Sequence, residues 1–171
     1  TMDIALRQNL PFVHLVESAG ANLMTYQVEM WAKAGGIFNQ LARLSAAGLP
    51  TFAVLHGPST AGGAYMPALS DVIVMVDGTS FMGLGGASLV KGATGQDVDA
   101  EELGGALTHN QVSGVAHYRV PDDVACIEKL RSLVAGLNPP RKAKRTAEAV
   151  GPTRAPTEAY TLLPGDHRQP I

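Results

Sequence analysis

Two glycine-rich segments each follow a short apolar run, and each could place backbone N–H groups around a negatively charged oxygen. The first segment, residues 17–22, follows the run 12–16, and the second, residues 56–65, follows the run 51–55. A strand that enters a glycine-rich turn and then a helix leaves N–H groups unpaired at the helix start, where the helix dipole also favours an anion. Two such turns on neighbouring strands predict an oxyanion hole, which stabilises an enolate or a tetrahedral intermediate.

Other side chains near these turns have alternative interpretations. Ser18 is not expected to be a nucleophile, because no Gly-x-Ser-x-Gly elbow surrounds it and no base is placed near it by sequence. His14 lies inside an apolar run and is interpreted as a core residue, whereas His56 could line a site at a strand end. Glu17 is a carboxylate at a strand end near the proposed hole, so it is the candidate for a general base.

The elements that must position these groups alternate between strands and helices. Apolar residues recur at helical spacing over residues 27–47, and further helices are expected after Ala61, from Asp99 and up to Leu137. Strand-like apolar runs occupy residues 12–16, 51–55, 71–76, 80–82 and 116–120. This alternation predicts an α/β fold with parallel strands joined by crossover helices.

Composition restricts the possible function classes. The chain has 171 residues, 46% of them hydrophobic and 16% charged, and a formal net charge of −2, so no nucleic-acid partner is expected. Its single cysteine, Cys126, excludes an internal disulfide framework and a cysteine-built metal site, and no metal is predicted. No apolar run approaches the ~20 residues of a membrane span and no signal peptide is apparent, so we expect no membrane association and a cytoplasmic location.

Histidine and lysine side chains farther along the chain favour structural roles. His109 and His117 are eight positions apart, a spacing that matches no common metal site. Lys91 could meet a phosphate group but is expected to be solvated, as is the basic run at residues 141–145. The apolar face from Trp31 to Leu44 is expected to be core, or a subunit interface if that helix is peripheral.

Several segments, in a fixed order, resemble the carboxyltransferase β subunit of biotin-dependent acyl-CoA carboxylases, of the methylcrotonoyl- and propionyl-CoA carboxylase type, in the crotonase superfamily. They are residues 16–22, 61–68, 85–91, 93–95, 102–106 and 109–116. The resemblance implies a crotonase-like (ClpP/crotonase) βαβ superhelix, present as a partial domain. Residues 1–137 are expected to form part of the N-terminal carboxyltransferase domain, and residues 138–171 an extended linker or arm toward a second domain.

The resemblance also implies a chemistry and a set of site residues. In that family, carboxybiotin on a carrier protein supplies CO2 to the α-carbon of an acyl-CoA, and backbone N–H groups hold the enolate oxygen. The implied catalytic groups are the backbone N–H groups of Gly62 and Gly63. The implied substrate-binding residues are Ser18, Ala19, Gly20, Ala21, Ala61, Ala64, Tyr65, Gly85 and Gly86.

The implied cofactor is biotin, as carboxybiotin, and no metal. The implied partners are the acyl-CoA substrate, a biotin carboxyl carrier or biotin carboxylase subunit, and further copies of the chain, with a hexamer as the family precedent. Ala19 departs from the family pattern, in which glycine is commoner at that position. The resemblance implies that this piece alone is inactive, because the second crotonase-like domain is not part of the sequence.

Two alternatives remain open at this point. One is a crotonase-type hydratase, isomerase or decarboxylase, in which Glu17 would act as the base. The other is a non-catalytic assembly fragment that oligomerises through its apolar helix.

Overall fold

The computed structural model describes residues 1–18, 23–25, 27–138, 151, 153–155 and 157–158. The chain divides into two units, Thr1–Pro140 and Arg141–Ile171, and each is considered by itself. In the second unit the backbone N–H of Ala155 donates to the carboxylate of Glu158. The predicted arm over residues 138–171 falls almost entirely outside the described residues and remains a prediction.

The first unit is built on a sheet whose paired strands are all parallel. Its strand order is β1-β2-β3-β5, and β4 pairs with the last residues of β2. The strands are β1 Phe12–Ser18, β2 Thr51–Thr60, β3 Val72–Val76, β4 Phe81–Gly83 and β5 Tyr118–Val120. The prediction of an α/β fold with parallel strands is therefore confirmed.

Helices connect the strands except between β3 and β4, which a turn joins, and aspartate side chains cap two of the helices. The carboxylate of Asp99 accepts hydrogen bonds from the N–H groups of Glu101 and Glu102, and that of Asp122 accepts one from Ala125. The helices are α1 Met2–Gln8, α2 Val28–Ala34, α3 Gly36–Ala46, α4 Gly62–Ala68, α5 Ala87–Thr94, α6 Ala100–Gly104 and α7 Asp123–Ala135. A short 3₁₀ turn covers Leu23–Thr25, and a π-helical turn covers Thr108–Val112.

Alternate residues of β2 enter different hydrophobic clusters, because successive side chains of a strand point to opposite faces. Ala53 and Leu55 pack with residues of β3 and α4, whereas Val54 packs with residues of β3, β5 and α7. Cys126 of α7 belongs to the second cluster and is fully buried. This two-sided burial explains the continuous apolar run of β2, as expected for a parallel strand.

One expectation about the segment after β1 was wrong. The predicted single helix over residues 27–47 is divided at Gly35 into α2 and α3. Gly35 and Gly36 are adjacent, and glycine is among the weakest helix formers. Trp31 of α2 is 42% exposed and is not core, whereas Leu41 and Leu44 of α3 are buried. The predicted core face therefore begins on α3.

Helix α5 begins at Ala87 and ends before Gly95, whose φ is +75°. Within it, Lys91 is exposed and its Nζ lies 2.6 Å from the carboxylate of Asp97. Among the described residues, no helix has the length and apolarity needed to cross a membrane.

Leu55 tests the contribution of the central strand to stability. Its side chain is fully buried, so Leu55→Ala is expected to lower the free energy of unfolding by about 2–5 kcal/mol, through lost burial and an unfilled cavity. Leu15 of the neighbouring strand is 62% exposed, so Leu15→Ala is the matched control, with an expected change of about 0.5 kcal/mol or less. Urea denaturation followed by circular dichroism measures both. Equal losses for the two variants would contradict the assigned core.

Candidate active site

The ends of three parallel strands meet in one place. At the end of β1, Ser18 pairs with Ser59 of β2, after a register shift that follows Val16. One residue farther along β2, Thr60 pairs with Gly83, the last residue of β4. Open parallel sheets bind ligands at the carboxyl ends of their strands, and this edge is therefore the place to look for a site.

Ala61 forms a sharp turn between β2 and α4. Its φ is +54° and its ψ is −119°, a conformation that residues with a side chain rarely adopt. The turn is fixed on both sides. The N–H of Ala61 donates to the carbonyl of Gly83 at 3.0 Å, and its own carbonyl accepts from the N–H groups of Ala64 and Tyr65.

The backbone bonds of α4 leave its first two N–H groups outside the helical ladder. The ladder begins where Ala64 and Tyr65 donate to Ala61, so Gly62 and Gly63 precede it. Gly62 is exposed and Gly63 is buried. Because α4 has only seven residues and contains Pro67, its dipole is small. The N–H groups themselves are therefore the main source of positive potential here.

Gly63 lies in close contact with the ends of both strands. A Cβ at this position would lie 3.1 Å from the Cβ of Ser18 and 3.2 Å from the Oγ of Ser59. The fully buried Ser59 hydroxyl donates a hydrogen bond of 2.6 Å to the carbonyl of Gly63. The contact places the first turn of α4 directly against the end of β1.

An open, mainly apolar cavity of about 370 Å³ lies beside this turn. Phe38 of α3 and Tyr65 of α4 form one wall, with their rings edge to face and their centroids 5.3 Å apart. The lining residues are Phe38, Ala61, Gly62, Tyr65 and Leu84. An apolar wall beside backbone N–H groups suits a ligand with a carbonyl oxygen and an apolar substituent.

Some of the site residues predicted from the sequence line this cavity, and others lie elsewhere. Ala61, Gly62 and Tyr65 line it, and Ser18 and Gly63 touch each other at the strand ends. The other described ones are Ala64, which is buried in the core, Gly85, which lies beside Leu89, and Gly86, the residue before α5. Ala19, Gly20 and Ala21 lie outside the described residues. The assigned roles of all these residues remain predictions.

Three residues of the candidate site were not predicted from the sequence. Phe38 belongs to the helical pattern of α3, but nothing in that pattern indicates that its ring reaches Tyr65. Leu84 stands among glycines and is 73% exposed, so periodicity gave no signal for it. Ser59 lies within β2, and its position two residues before Ala61 becomes meaningful only once the turn is known.

Glu17 and His14 lie away from the cavity wall. A Cβ at Gly57 would lie 2.8 Å from the Cδ of Glu17, so the glutamate side chain covers Gly57, and it is not among the lining residues. His14 packs edge to face on Phe12, with ring centroids 4.3 Å apart, and burial lowers the pKa of His14. This burial favours the neutral form of the imidazole.

Three further histidines, His56, His109 and His117, make contacts that hold elements together. His56 places its Nδ1 2.5 Å from the carboxylate of Asp123, at the start of α7. His109 contacts the carbonyl of Met82 through its Nε2 at 2.6 Å, and the Nδ1 of His117 accepts from the N–H of Ile73 at 3.1 Å. In the part of the chain that the structure describes, no group of three or more His, Cys, Asp or Glu residues could hold a metal ion.

Comparison with known proteins gives a consistent result. The family model for the carboxyl transferase domain matches residues 1–171. The chain is 44% identical over 168 residues to a probable biotin-dependent acyl-coenzyme A carboxylase beta2 subunit of Mycobacterium tuberculosis, which covers 98% of this chain and 32% of that relative. It is 42% identical over 171 residues to the mitochondrial methylcrotonoyl-CoA carboxylase beta chain of Dictyostelium discoideum, covering 96% of this chain and 28% of the relative. The chain thus spans about a third of the length of these relatives.

Solved structures agree with the sequence relatives. The beta subunit of P. aeruginosa geranyl-CoA carboxylase superposes with a TM-score of 0.71 at 43% identity, over 80% of this chain and 25% of the other. The transcarboxylase 12S structure, described as a hexamer assembly with methylmalonyl-coenzyme A and methylmalonic acid bound, has a TM-score of 0.74 at 32% identity, over 98% of this chain and 32% of the other. These carboxyltransferases confirm the expected fold class.

Two adjacent glycines allow the close contact at Gly63 to be tested. Gly63→Ala places a methyl group against Ser18 and Ser59 and is expected to destabilise the fold by about 1–3 kcal/mol through overpacking. Gly62→Ala meets only the Phe38 ring at 3.7 Å, an ordinary contact, so it is expected to be neutral or to stabilise by up to about 1 kcal/mol. Urea denaturation of both variants measures the difference. A Gly63→Ala variant as stable as Gly62→Ala would contradict the packing described.

Proposed function

The chain belongs to the carboxyl transferase domain family, and on that basis we propose that it forms the acyl-CoA side of a biotin-dependent carboxyltransferase site. The supporting observation is the turn at Ala61, which leaves the N–H groups of Gly62 and Gly63 outside the helical ladder and places Gly62 in the wall of an apolar cavity. The reaction proposed is transfer of CO2 from carboxybiotin to the α-carbon of an acyl-CoA, through an enolate.

The proposed role of this chain is to bind and polarise the thioester. The carbonyl oxygen accepts hydrogen bonds from Gly62 and Gly63, and these bonds strengthen as the α-proton leaves and the oxygen becomes an enolate. The acyl group lies against the Phe38–Tyr65 pair and Leu84, whose apolar surfaces suit an acyl chain. In a well-studied protease, loss of one such donor costs about 3 kcal/mol of transition-state stabilisation.

Biotin enters the proposal only as the CO2 donor. Carboxybiotin, when bound, supplies the carboxyl group that the enolate attacks. The cavity beside Gly62 is apolar and open, which suits a thioester acyl group rather than the polar ureido ring of biotin. We therefore derive no step through biotin from these residues and propose that another part of the assembly holds it.

The two alternatives receive less support. A hydratase or a base-dependent decarboxylase needs a carboxylate facing the substrate, whereas Glu17 covers Gly57 and does not line the cavity. A purely structural role does not account for the strained turn at Ala61, because positive-φ conformations at non-glycine residues are concentrated at functional sites.

We further propose that the chain works within a cytoplasmic homo-oligomer that binds a biotin carboxyl carrier or biotin carboxylase subunit. Helix α2 supports self-association, because Val28, Met30 and Trp31 expose 65%, 45% and 42% of their surface. Val28 and Trp31 are three positions apart and share one face of α2, so they offer an apolar surface to a second copy of the chain. The name of the transcarboxylase 12S structure describes a hexamer of that protein.

Ligand pairs test the thioester site. In calorimetry, the chain is expected to bind acetyl-CoA and methylcrotonoyl-CoA at least about fivefold more tightly than S-ethyl-CoA, because the thioether has no carbonyl to accept the two N–H groups. Gly62→Leu, which fills the cavity, is expected to abolish this preference. Gly92→Leu is the matched control, since nothing lies within 4 Å of a Cβ at Gly92.

Equal affinity for thioester and thioether would contradict the role of Gly62 and Gly63 as donors. Absence of binding by a chain shown to be folded would contradict a CoA-thioester site in this part of the protein.

Sedimentation equilibrium tests the proposed association. The chain is expected to have a mass above the 17.8 kDa of one copy, and Trp31→Glu is expected to lower that mass by placing a charge in the apolar surface of α2. Val112→Glu is the control, because Val112 is 81% exposed on a different element. A mass that Trp31→Glu leaves unchanged, or that Val112→Glu lowers instead, would contradict the assignment of α2.

A further inference from the structure

The conformation of Ala61 is unusual even among the positive-φ residues of this chain. Among the described residues, the other non-glycine residue with positive φ is Asn9, which ends α1 in the ordinary left-handed conformation. Ala61 combines φ +54° with ψ −119° and lies between the last residue of a strand and the first residue of a helix. Hydrogen bonds to Gly83, Ala64 and Tyr65 hold it there.

A strand, one strained residue and a helix form the arrangement in which many hydrolases present a nucleophilic serine. Two further features of that arrangement are present. Small residues stand two positions before and after the turn, as Ser59 and Gly63, and the residue that follows the turn, Gly62, carries an N–H outside the helical ladder. In such elbows, the N–H of the residue after the nucleophile forms part of the oxyanion hole.

The side chain at this elbow is a methyl group that faces a cavity. Ala61 is exposed and, with Gly62 and Tyr65, lines the cavity of about 370 Å³. We propose that Ala61 is the residue of a nucleophile elbow whose nucleophile is replaced by a methyl group, so that the turn positions a thioester carbonyl without attacking it. Ala61 is thus a positioning residue. The inference rests on the proposed function, because it requires the thioester carbonyl to lie beside Gly62.

A thiol introduced at this position would supply the missing nucleophile. In A61C, the new Sγ would attack the thioester carbonyl carbon, forming a sulfur–carbon bond as the bond between that carbon and the CoA sulfur breaks. CoA leaves as a thiolate and takes up the proton released by the introduced thiol. One thioester is exchanged for another, and no oxidant or reductant is needed.

The experiment compares A61C with A68C, using acetyl-CoA as the probe. Ala68 is exposed at the far end of the same helix, so A68C carries the same substitution away from the cavity. Acetylation is followed by whole-chain mass and peptide mapping, and each rate is divided by that variant's rate with iodoacetamide. The unmodified chain reports on Cys126, which is expected to be unreactive because it is fully buried and burial raises its pKa to about 11.

A normalised acetylation rate at least tenfold higher in A61C than in A68C, with one acetyl group per chain, is the expected result. Equal normalised rates would overturn the inference. Calorimetry of the unmodified chain separates the two hypotheses. If the thioester binds but A61C is acetylated no faster than A68C, only the elbow is wrong; if the thioester does not bind, the proposed function fails as well.

A second pair of variants does not depend on the folding of A61C. Ala61→Gly keeps positive φ accessible but frees the turn to adopt other conformations, so thioester affinity is expected to fall at least threefold through lost preorganisation. Ala68→Gly carries the same change outside the cavity, and its affinity is expected to match that of the unmodified chain. Unchanged affinity in Ala61→Gly would overturn the positioning role.

Discussion

The close approach of α4 to the strand ends at Gly63 is the constraint on which the candidate site depends. With 3.1 Å between a Cβ at this position and the Cβ of Ser18, a residue with a side chain could stay only if its neighbours moved. Ser59 has little freedom to move, because its buried hydroxyl is bonded to the carbonyl of Gly63. The position of the Gly62 N–H relative to the sheet is therefore fixed by packing as well as by the local turn.

The parallel sheet makes this approach possible. Since β1, β2 and β4 run in the same direction, their carboxyl ends arrive together, and Gly83 at the end of β4 accepts the N–H of Ala61. An antiparallel neighbouring strand would instead place its amino end at this edge of the sheet. The buried cluster that contains Leu55 and Met75 holds these strands in register. The geometry of the turn at Ala61 therefore depends on the packing of this cluster.

The sequence predicts the parts of this molecule that depend on local patterns. The strands, the alternation with helices and the Asp99 cap follow from apolar periodicity and capping chemistry, and the ordered glycine segments point to the family. Sequence patterns could not predict which apolar helix face is covered by other elements, so they did not predict that Trp31 is exposed. Nor could they predict the reach of Phe38 across to Tyr65, because a ring contact between two helices depends on their packing.

The conformation of Ala61 is the clearest case of information that the sequence did not contain. A glycine at this position would have indicated a positive φ, whereas an alanine does not. The strain at Ala61 is imposed by its hydrogen-bonded surroundings. Strain held in this way is consistent with preorganisation, because donors that are already fixed need not reorganise as charge develops. A polarised thioester carbonyl can undergo either acyl transfer or loss of an α-proton. In the proposed site, a methyl group at the turn provides no nucleophile for acyl transfer, and the enolate is then the species that the proposed N–H donors would stabilise.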